Sequence, residues 1–341
     1  MGAAKIKGSL LEYLVRRMLT NCGFKRVLPD GRYIFSDRGL NFIHGKGAAH
    51  DADVLMDPPI QMPFSYPYRI NFECKAYKKK TGLPIVRNAL GLRYDINEFE
   101  ILTEEQLILR QNLRRSSLAV SDRVRHNYQI GVASVEDFTK DAFEFAANNK
   151  IPLISLRWFL DDTICDLFHD ITDDYLNSKF SKPQQDNILL FLKDSGNMSN
   201  VYVKYLESHL KTIIDAFELF EKKVLIGLLE SGDMVLLLSQ QNIDLEYLLE
   251  TRNLLGKYYY NRFEELDRWD LIINNQINVK FYLPDRIVTL WEREHYDPNI
   301  AIDLKEKWFL KMFVFIKFQE RSEFKIINMD AEWFGTIQGR R

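Results

Sequence analysis

The sequence predicts an α/β domain followed by an α+β region. In the first half, short apolar strands alternate with amphipathic helices, most clearly where YQIGVASV, DFTKDAFEFAANN and IPLISL follow one another. A strand, a helix and a strand in that order are typical of a sheet with helices packed on its faces. The second half contains helical patterns and then runs rich in β-branched and aromatic residues, such as KMFVFIKF, which favour strands.

The α/β domain is predicted over residues 1–160. Its first helix is expected to start at a capping box formed by Ser9 and Glu12, and to end at Gly23. A further helix is expected from Pro84 onwards, before the strand–helix–strand unit described above. Strands are predicted in RYIFS, LNFIHG, AAHDADVLM and YRINFECKAY.

A polar linker is predicted over 161–187, where SKPQQDN is the most linker-like stretch, and an α+β domain is predicted over 188–341. Helices are expected at about 201–230 and 243–266. Strands are expected in VKFYLP, RIVTLW, KMFVFIKF and EFKIINM, with a hairpin turn between the last two.

The formal net charge of −2 hides an asymmetry between the two halves. Residues 1–160 contain 24 Lys and Arg against 17 Asp and Glu, whereas the rest of the chain contains 22 against 31. A basic half predicts that any polyanionic partner is held by the first domain. Mutual attraction between the halves, or chance composition, explains the same numbers without a ligand.

Several classes of protein are excluded by simple patterns. The three cysteines have no CxxC spacing, which argues against a disulfide framework and a zinc site and favours a cytoplasmic location. The N-terminus has no signal-peptide pattern, and no apolar run reaches the length of a membrane span, so no membrane partner is expected. The GKG at 45–47 lacks the remaining residues of a phosphate-binding Walker loop.

Three residues from neighbouring strands carry the chemistry. Asp53 enters one predicted strand, and Glu73 and Lys75 lie two residues apart on the next, so their side chains share a face opposite to Cys74. If the strands pair, Asp53 comes beside Glu73. Two carboxylates and a backbone carbonyl form an oxygen cage suited to Mg²⁺ at about 2.1 Å. Charges in such an apolar strand are costly to bury unless they are paired or bound to metal.

This layout resembles the PD-(D/E)xK nuclease superfamily, with Glu73-Cys74-Lys75 as its ExK half and Asp53 as its acidic half, although the literal Pro-Asp is missing. The opening GSLLEYLVRRMLTNCGF and the segment GVASVEDFTKDAFEFAANNKIPLISL resemble the first helix and the closing β-α-β unit of Mrr-like restriction endonucleases. The resemblance covers about residues 5–157. It implies a restriction-endonuclease-like core, in which helices flank a mixed central sheet.

The resemblance also implies roles for single residues. Asp53 and Glu73 would bind Mg²⁺, or Mn²⁺ as a substitute, with the main-chain carbonyl of Cys74 as a third ligand. Lys75 would be the catalytic lysine, and Glu12 the glutamate that approaches the metal from the first helix. Two alternatives stay open: Asp51 competes with Asp53 for the ligand role, and Glu12 closes the capping box without touching a metal.

The function that follows is a metal-dependent endonuclease that cuts DNA, with RNA not excluded and a role in microbial defence implied by the resemblance alone. A basic flank would hold phosphates nonspecifically, or would be no more than a solvated surface. This flank consists of Lys78, Lys79, Lys80, Arg87 and Arg93, with Arg110, Arg114, Arg115, Arg123 and Arg125 further along the chain.

Two other functions compete with this one. The first is a catalytically silent nucleic-acid-binding or assembly subunit, and the second is a repair or junction nuclease. The C-terminal domain is expected to set target choice, form a homodimer or bind a regulatory partner protein.

Overall fold

The computed structural model describes residues 2–31, 33–37, 40–61, 65–98, 126–193, 208–261 and 266–339. Over these residues, an α/β unit, a group of helices and a closed β-barrel follow one another along the chain. The mixed α/β architecture was predicted from the sequence, whereas the barrel was not. The Arg-rich stretch 110–125 lies outside the described residues.

Over its described residues, the α/β unit contains three helices, eight strands and one 3-10 turn at Leu156–Trp158. Its helices and strands are α1 (Ala3–Asn21), β1 (Lys25–Arg26), β2 (Ile34–Asp37), β3 (Leu40–His44), β4 (Ala49–Asp51), β5 (Val54–Asp57), β6 (Tyr68–Lys75), α2 (Leu83–Glu98), β7 (Asn127–Ser134), α3 (Lys140–Asn149) and β8 (Leu153–Ser155).

The main sheet is mixed and has the order β1-β5-β6-β7-β8. Its first two pairings, β1–β5 and β5–β6, are antiparallel, and β6–β7 and β7–β8 are parallel. A smaller antiparallel sheet has the order β2-β3-β4. Close packing at the centre requires a glycine in β7, because a Cβ at Gly131 would lie 2.4 Å from the ring of Phe72 and 2.9 Å from the carbonyl oxygen of Pro152.

Helix α1 packs against β5 and β6 through one apolar face that includes Leu10, Leu14 and Met18. It ends before Gly23, whose φ of 94° suits glycine, as predicted. The predicted start at Ser9 is wrong, because Ser9 is buried within the helix. The start of α1 is capped from elsewhere, since the Ala3 amide donates to Asp173 Oδ1 at 2.6 Å.

The predicted linker over 161–187 is wrong as local structure, since this stretch is helical. It forms α4 (Asp162–Asp170), α5 (Asp173–Lys179) and α6 (Lys182–Lys193). The cause is tertiary packing: Phe168, Leu176 and Ile188 are buried in the same core as α1. The Pro183 that suggested a linker lies in the first turn of α6, where a missing amide hydrogen costs no intrahelical bond.

The rest of the described chain forms a seven-stranded closed barrel with flanking helices. Its strand order is β10-β13-β12-β11-β15-β14-β9, closed by the β9–β10 pair. The elements are α7 (His209–Phe220), β9 (Val224–Leu229), β10 (Met234–Leu238), α8 (Leu245–Glu250), β11 (Leu254–Tyr260), β12 (Arg268–Ile273), β13 (Ile277–Tyr282), α9 (Asp285–Arg293), α10 (Pro298–Trp308), β14 (Lys311–Phe318), β15 (Arg321–Met329) and α11 (Ala331–Gln338).

Three predictions for this region are wrong. The long helices expected at 201–230 and 243–266 are shorter helices followed by β9 and β11. Part of the first range, 201–207, lies outside the described residues. RIVTLW lies in helix α9 rather than a strand, with Ile287 and Trp291 buried one turn apart. The strands predicted in VKFYLP, KMFVFIKF and EFKIINM are confirmed as β13, β14 and β15, with a turn at Gln319-Glu320 between the last two.

The α/β unit and the barrel are in direct contact through α1 and the barrel's outer face. Phe24 packs edge-on against Phe315 of β14, with 5.7 Å between ring centroids. Arg17 of α1 pairs with Glu218 at 2.9 Å and with Glu221 at 2.7 Å. One apolar core therefore runs from α1 into strands β9, β10 and β14. The division into domains at 1–160 and 188–341 stays a prediction.

The described helices do not have the length and apolarity of membrane-spanning helices. In the part of the chain that the structure describes, every helix is too short or too polar to cross a membrane. This includes α1, whose 19 residues carry lysines, arginines and a glutamate.

Candidate active site

Strands β5 and β6 bring the predicted acidic residues together. They pair antiparallel, with Val54 opposite Phe72 and Leu55 opposite Asn71. Continuing this register by one residue places Asp53 opposite Glu73, as the sequence predicted for paired strands. The apolar residues of both strands explain the pairing: Val54, Met56 and Phe72 are buried against α1.

The Asp53 carboxylate is fixed by the backbone of the ExK strand. The Cys74 amide donates to Asp53 Oδ2 at 2.9 Å. This bond fixes the Asp53 carboxylate against the main chain of β6. The thiol of Cys74 is buried, as expected for a side chain on the face opposite to Glu73. Burial raises the pKa of this thiol, so it stays protonated.

Glu73 and Lys75 form an ion pair on one face of β6. Lys75 Nζ lies 3.1 Å from Glu73 Oε2, and both side chains are about three-quarters buried. Burial opposes the charge of Lys75, but the neighbouring Glu73 and Asp53 outweigh it and hold the pKa of Lys75 above its usual range. Lys75 is therefore a cation at neutral pH, suited to donating hydrogen bonds rather than to removing a proton.

Glu12 approaches Asp53, Glu73 and Lys75 from α1, and its charge interacts with that of Asp53. Burial, followed by repulsion from Asp53, raises the pKa of Glu12 to about 7. Burial, followed by repulsion from Glu73, raises the pKa of Asp53 to about 6, against the lowering effect of the Cys74 hydrogen bond. We call Glu12, Asp53, Glu73 and Lys75 the central cluster. Burial is the larger cause of both raised pKa values, and repulsion between the acids adds to it.

Asp51 and Asp53, the two alternative metal ligands predicted from the sequence, have different surroundings. Asp51 lies in β4 of the small sheet and is exposed, whereas Asp53 contacts the ExK strand. Among the charges that affect the pKa of Asp53, Asp51 contributes less than Glu73. His50, the other polar residue nearby, is engaged by α2, because its Nε2 lies 2.6 Å from Asp95 Oδ2.

The predicted basic flank divides into exposed and engaged residues. Lys78, Lys79 and Lys80 are exposed in the loop that follows the ExK strand. Arg87 is also exposed, with its guanidinium 5.8 Å from the ring centroid of Phe145. Arg93 is used within the fold, because it donates to the main-chain oxygen of Asn149 at 2.8 Å.

A second acidic group was missed by the sequence reasoning. Glu136, Asp166 and His169 have potential metal-ligating atoms within 4.8 Å of one another. Arg157 already fills this group, donating to both Glu136 oxygens at 2.6 and 2.7 Å and to Asp166 at 2.7 Å. We call these four residues the Arg157 cluster. Its residues come from the segment after β7, the 3-10 turn at Leu156–Trp158 and α4, and no spacing in the sequence identifies it.

Comparisons with known proteins add no function. No protein-family model matches the sequence, and no curated protein matches it. A crystal structure of a protein of unknown function, AF1548, is similar to this chain, with 12% identity over 55% of this chain and 97% of that chain. The TM-score of 0.27 is too low for the similarity to carry an argument.

Proposed function

We propose that this chain is a metal-dependent nuclease that hydrolyses phosphodiester bonds, with DNA as its substrate. The proposal depends mainly on one observation. The three carboxylates and the lysine of the central cluster come from α1 and from the segments of β5 and β6, and they meet at one largely buried site. Burying like charges together is costly, and proteins retain such groups where a cation or a reaction uses them. The resemblance to Mrr-like nucleases supports the same assignment.

The donor atoms of the central cluster fit a hard divalent cation. Asp53 and Glu73 would hold Mg²⁺ or Mn²⁺ together with the main-chain oxygen of Cys74, and Glu12 adds a further carboxylate. Such an ion, when bound, polarises a phosphate and lowers the pKa of a coordinated water. Because a carboxylate must be ionised to coordinate, Glu12 and Asp53, with pKa values of about 7 and about 6, release protons when they take up the ion.

Lys75 supplies the positive charge that faces the phosphate. Its ammonium group is already oriented by Glu73 at 3.1 Å. From there it donates hydrogen bonds to a phosphate oxygen or to the attacking water, and it offsets the negative charge that develops during hydrolysis. A pre-oriented donor costs no reorganisation at the moment of reaction.

The loop after β6 is suited to the substrate backbone. Lys78, Lys79 and Lys80 are exposed and follow Lys75 within five residues. Lysines in this position attract phosphates without reading base sequence. Arg17 of α1 contacts Glu218 of α7 and Glu221, which come just before strand β9 of the barrel. Because α1 also carries Glu12, these contacts favour a regulatory role for the barrel.

Cleavage of supercoiled plasmid tests the proposal. The wild-type chain is expected to nick or linearise the plasmid with Mg²⁺ or Mn²⁺ and to be inactive with EDTA. Lys75→Met and Asp53→Asn are expected to reduce the rate by at least ~100-fold, the effect of removing one group that stabilises a transition state. A single-stranded RNA of the same sequence as one DNA strand is assayed in parallel, to decide between the two substrates.

Arg321→Gln is the matched control, because this exposed barrel residue pairs with Glu323 far along the chain from the cluster. It should cut at the wild-type rate. If the wild-type chain binds DNA but leaves it intact with Mg²⁺, Mn²⁺, Co²⁺ and Zn²⁺ alike, the nuclease proposal is wrong and the silent binding module is favoured.

A further inference from the structure

A large cavity lies between the α/β unit and the barrel. It has a volume of about 910 Å³. One wall comes from the α/β unit and includes α3, β8 and the 3-10 turn at Leu156–Trp158, and the other includes strands β9, β10 and β14 of the barrel. All four residues of the central cluster are among the described residues, and none of them lines this cavity. The proposed hydrolysis therefore does not use it.

The barrel wall of the cavity is apolar on the outer face of the strands. Alternate residues of three strands line it, namely Ile226 and Leu228 of β9, Met234 and Leu236 of β10, and Phe313 and Phe315 of β14. The residues between them point the other way, and Met312 and Val314 are buried in the core inside the barrel. An antiparallel sheet with one face in water normally has polar residues on that face. Here both faces of these strands are apolar.

Aromatic rings line both walls of the cavity. Phe143 of α3 and Trp158 are stacked, with 6.1 Å between their ring centroids and 20° between their planes. Trp158 also lies 5.9 Å from the ring of Tyr282 in β13, so these rings connect the two walls. Phe313 and Phe324 of the barrel form a second stacked pair at 5.1 Å. All five rings line the cavity and are only partly buried, which leaves part of their surface accessible.

Most charged groups of the lining are already engaged within the protein. Three ion pairs involve them, namely Lys150 with Asp233 at 2.6 Å, Arg69 with Asp57 at 3.1 Å and Glu230 with Lys311 at 3.9 Å. Asp137 accepts a hydrogen bond from the Trp158 indole at 2.9 Å, and Asp267 also has a partner in the fold. Among the described lining residues, the exposed Lys80 is the remaining charged group. A charged ligand would therefore lose its water without gaining a matching partner.

The size and lining of the cavity suit an organic molecule better than water. A buried water makes about three hydrogen bonds to polar groups, and most of this lining offers none. Pockets for drug-sized ligands have volumes of roughly 300–1,000 Å³, are lined mainly by apolar and aromatic side chains, and occur preferentially at domain interfaces. The cavity, at about 910 Å³, has all three properties.

We propose that this cavity binds an uncharged, largely apolar small molecule that carries aromatic rings. The rings of the ligand would pack against the partly buried aromatic side chains of both walls. Because one wall belongs to the α/β unit and the other to the barrel, a bound ligand would hold the two together. This inference does not depend on the nuclease proposal.

Two fluorescent probes with the same ring framework test the class of ligand. N-phenyl-1-naphthylamine is uncharged, and 8-anilinonaphthalene-1-sulfonate differs from it by an added sulfonate. We expect the uncharged probe to bind the full chain at least ~10-fold more tightly, since burying an unpaired charge is costly. Trp158 is the tryptophan on the lining. Of the five single Trp→Phe variants, Trp158→Phe should therefore reduce energy transfer to the bound probe the most.

Ala147→Phe is the informative variant, because Ala147 lines the cavity from α3 and is only partly buried. The added ring takes up cavity volume, and we expect it to weaken binding of the uncharged probe at least ~10-fold. Asn148→Phe is the matched control: it places the same ring at the next, exposed position of α3, outside the lining. It should bind the probe as the wild type does. Met234→Gln makes the opposite wall more polar and should also weaken binding. Circular dichroism spectra establish that the variants fold.

Two results would overturn the inference. If the sulfonate probe binds as tightly as the uncharged probe, or more tightly, the ligand class is wrong. If the uncharged probe does not bind, or binds Ala147→Phe and Met234→Gln as tightly as the wild type, the cavity is not its site. Neither result depends on whether plasmid is cut, so this inference and the nuclease proposal are tested separately.

Discussion

The central cluster and the Arg157 cluster are both dense groups of acids, but they balance their charge differently. In the Arg157 cluster, burial opposes the charge of Glu136, yet hydrogen bonds from Arg157 and His169 prevail and lower its pKa. In the central cluster, Glu12 and Asp53 have raised pKa values of about 7 and about 6. In the Arg157 cluster, hydrogen bonds outweigh the burial of the acid, whereas in the central cluster burial and mutual repulsion outweigh the cations.

This difference separates a structural ion network from a candidate metal site. The carboxylates of the Arg157 cluster are close enough together to suggest a metal, but the Arg157 guanidinium already donates hydrogen bonds to both of them. Proximity of acids is therefore a weak criterion by itself. The direction of the pKa shift adds information, because it shows whether hydrogen bonds and cations within the fold outweigh the burial of the carboxylates.

The largest expected effect on stability comes from removing the internal cation. Arg157→Met leaves Glu136 half-buried without its bidentate partner and releases the contacts to Asp162 and Asp166 on α4. We expect a loss of about 3 kcal/mol in the free energy of unfolding, since breaking one side of a buried ion pair strands the other charge. Urea denaturation measures the change.

Arg321→Met is the control for that experiment. Its ion pair with Glu323 is exposed on the barrel hairpin, and such pairs contribute less than about 1 kcal/mol. Equal losses for Arg157→Met and Arg321→Met would show that the Arg157 cluster is not a special structural feature, and the comparison would then have no basis.

The second largest expected effect is an increase in the free energy of unfolding when Mg²⁺ binds. This increase should depend on the central cluster and not on the Arg157 cluster. With Mg²⁺ at 100 times its dissociation constant, the wild type should gain about 2.7 kcal/mol of stability over the EDTA sample. Asp53→Asn should gain almost nothing, whereas Glu136→Gln should gain as much as the wild type. Thermal unfolding scans at matched ionic strength, with and without Mg²⁺, give these differences. A gain that disappears in Glu136→Gln would reverse the assignment of the two clusters.

Without metal, neutralising the central cluster should stabilise the protein. At pH 8 in EDTA, Asp53→Asn is expected to raise the free energy of unfolding by about 2 kcal/mol, because it removes a carboxylate whose folded pKa lies about two units above its usual value. The amide oxygen can still accept the Cys74 hydrogen bond. Destabilisation of this variant in urea would mean that the Asp53 charge is satisfied by the fold.

The smallest expected effect is a pH dependence of the free energy of unfolding that results from Glu12. Its folded pKa of about 7 lies above the usual 4.5, so the folded state holds a proton that the unfolded state has released. Stability is then greatest at low pH and falls as pH rises towards 7 and above. Between pH 6 and pH 8 in EDTA, the wild type should lose about 1 kcal/mol more than Glu12→Gln.

Urea midpoints at closely spaced pH values test this slope. The Glu136→Gln variant serves for comparison, because the pKa of Glu136 is lowered and its ionisation is complete well below pH 6. Parallel slopes for the wild type and Glu12→Gln would place the raised pKa elsewhere than at Glu12.

The sequence was informative where a local pattern and the tertiary environment agree. The ExK strand, the strand–helix–strand unit and the end of α1 at Gly23 follow from apolar runs and from glycine, and all are found. Prediction failed where tertiary contacts override local signals. Ser9 resembles a cap but is buried within α1, which starts at Ala3 and is capped there by Asp173 from another helix. VLIGLL lost the alternation of a strand because both of its faces are buried in β9.

The candidate site shows the same limit. Asp53, Glu73 and Lys75 were identified because strand periodicity fixes which side chains share a face. Arg16, Arg26 and Lys193, which line a small cavity together with Glu12 and Asp53, gave no signal, since they meet only after α6 packs on α1, and the first half of α6 was expected to be a linker. Arg157 is bonded to Glu136, 21 residues earlier in the chain. No spacing rule connects two residues that follow different strands of a sheet.

Helix α1 has a consequence that reaches beyond local packing. It presents Glu12 to the central cluster and, little more than one turn later, Arg17 to Glu218 and Glu221 beside the barrel. Glu12 and Arg17 belong to one continuous helix. A displacement of Glu218 and Glu221 that moved Arg17 would therefore also move Glu12 relative to Asp53. Removing the chain after residue 165 would remove both carboxylates that Arg17 contacts, and with them this connection to Glu12.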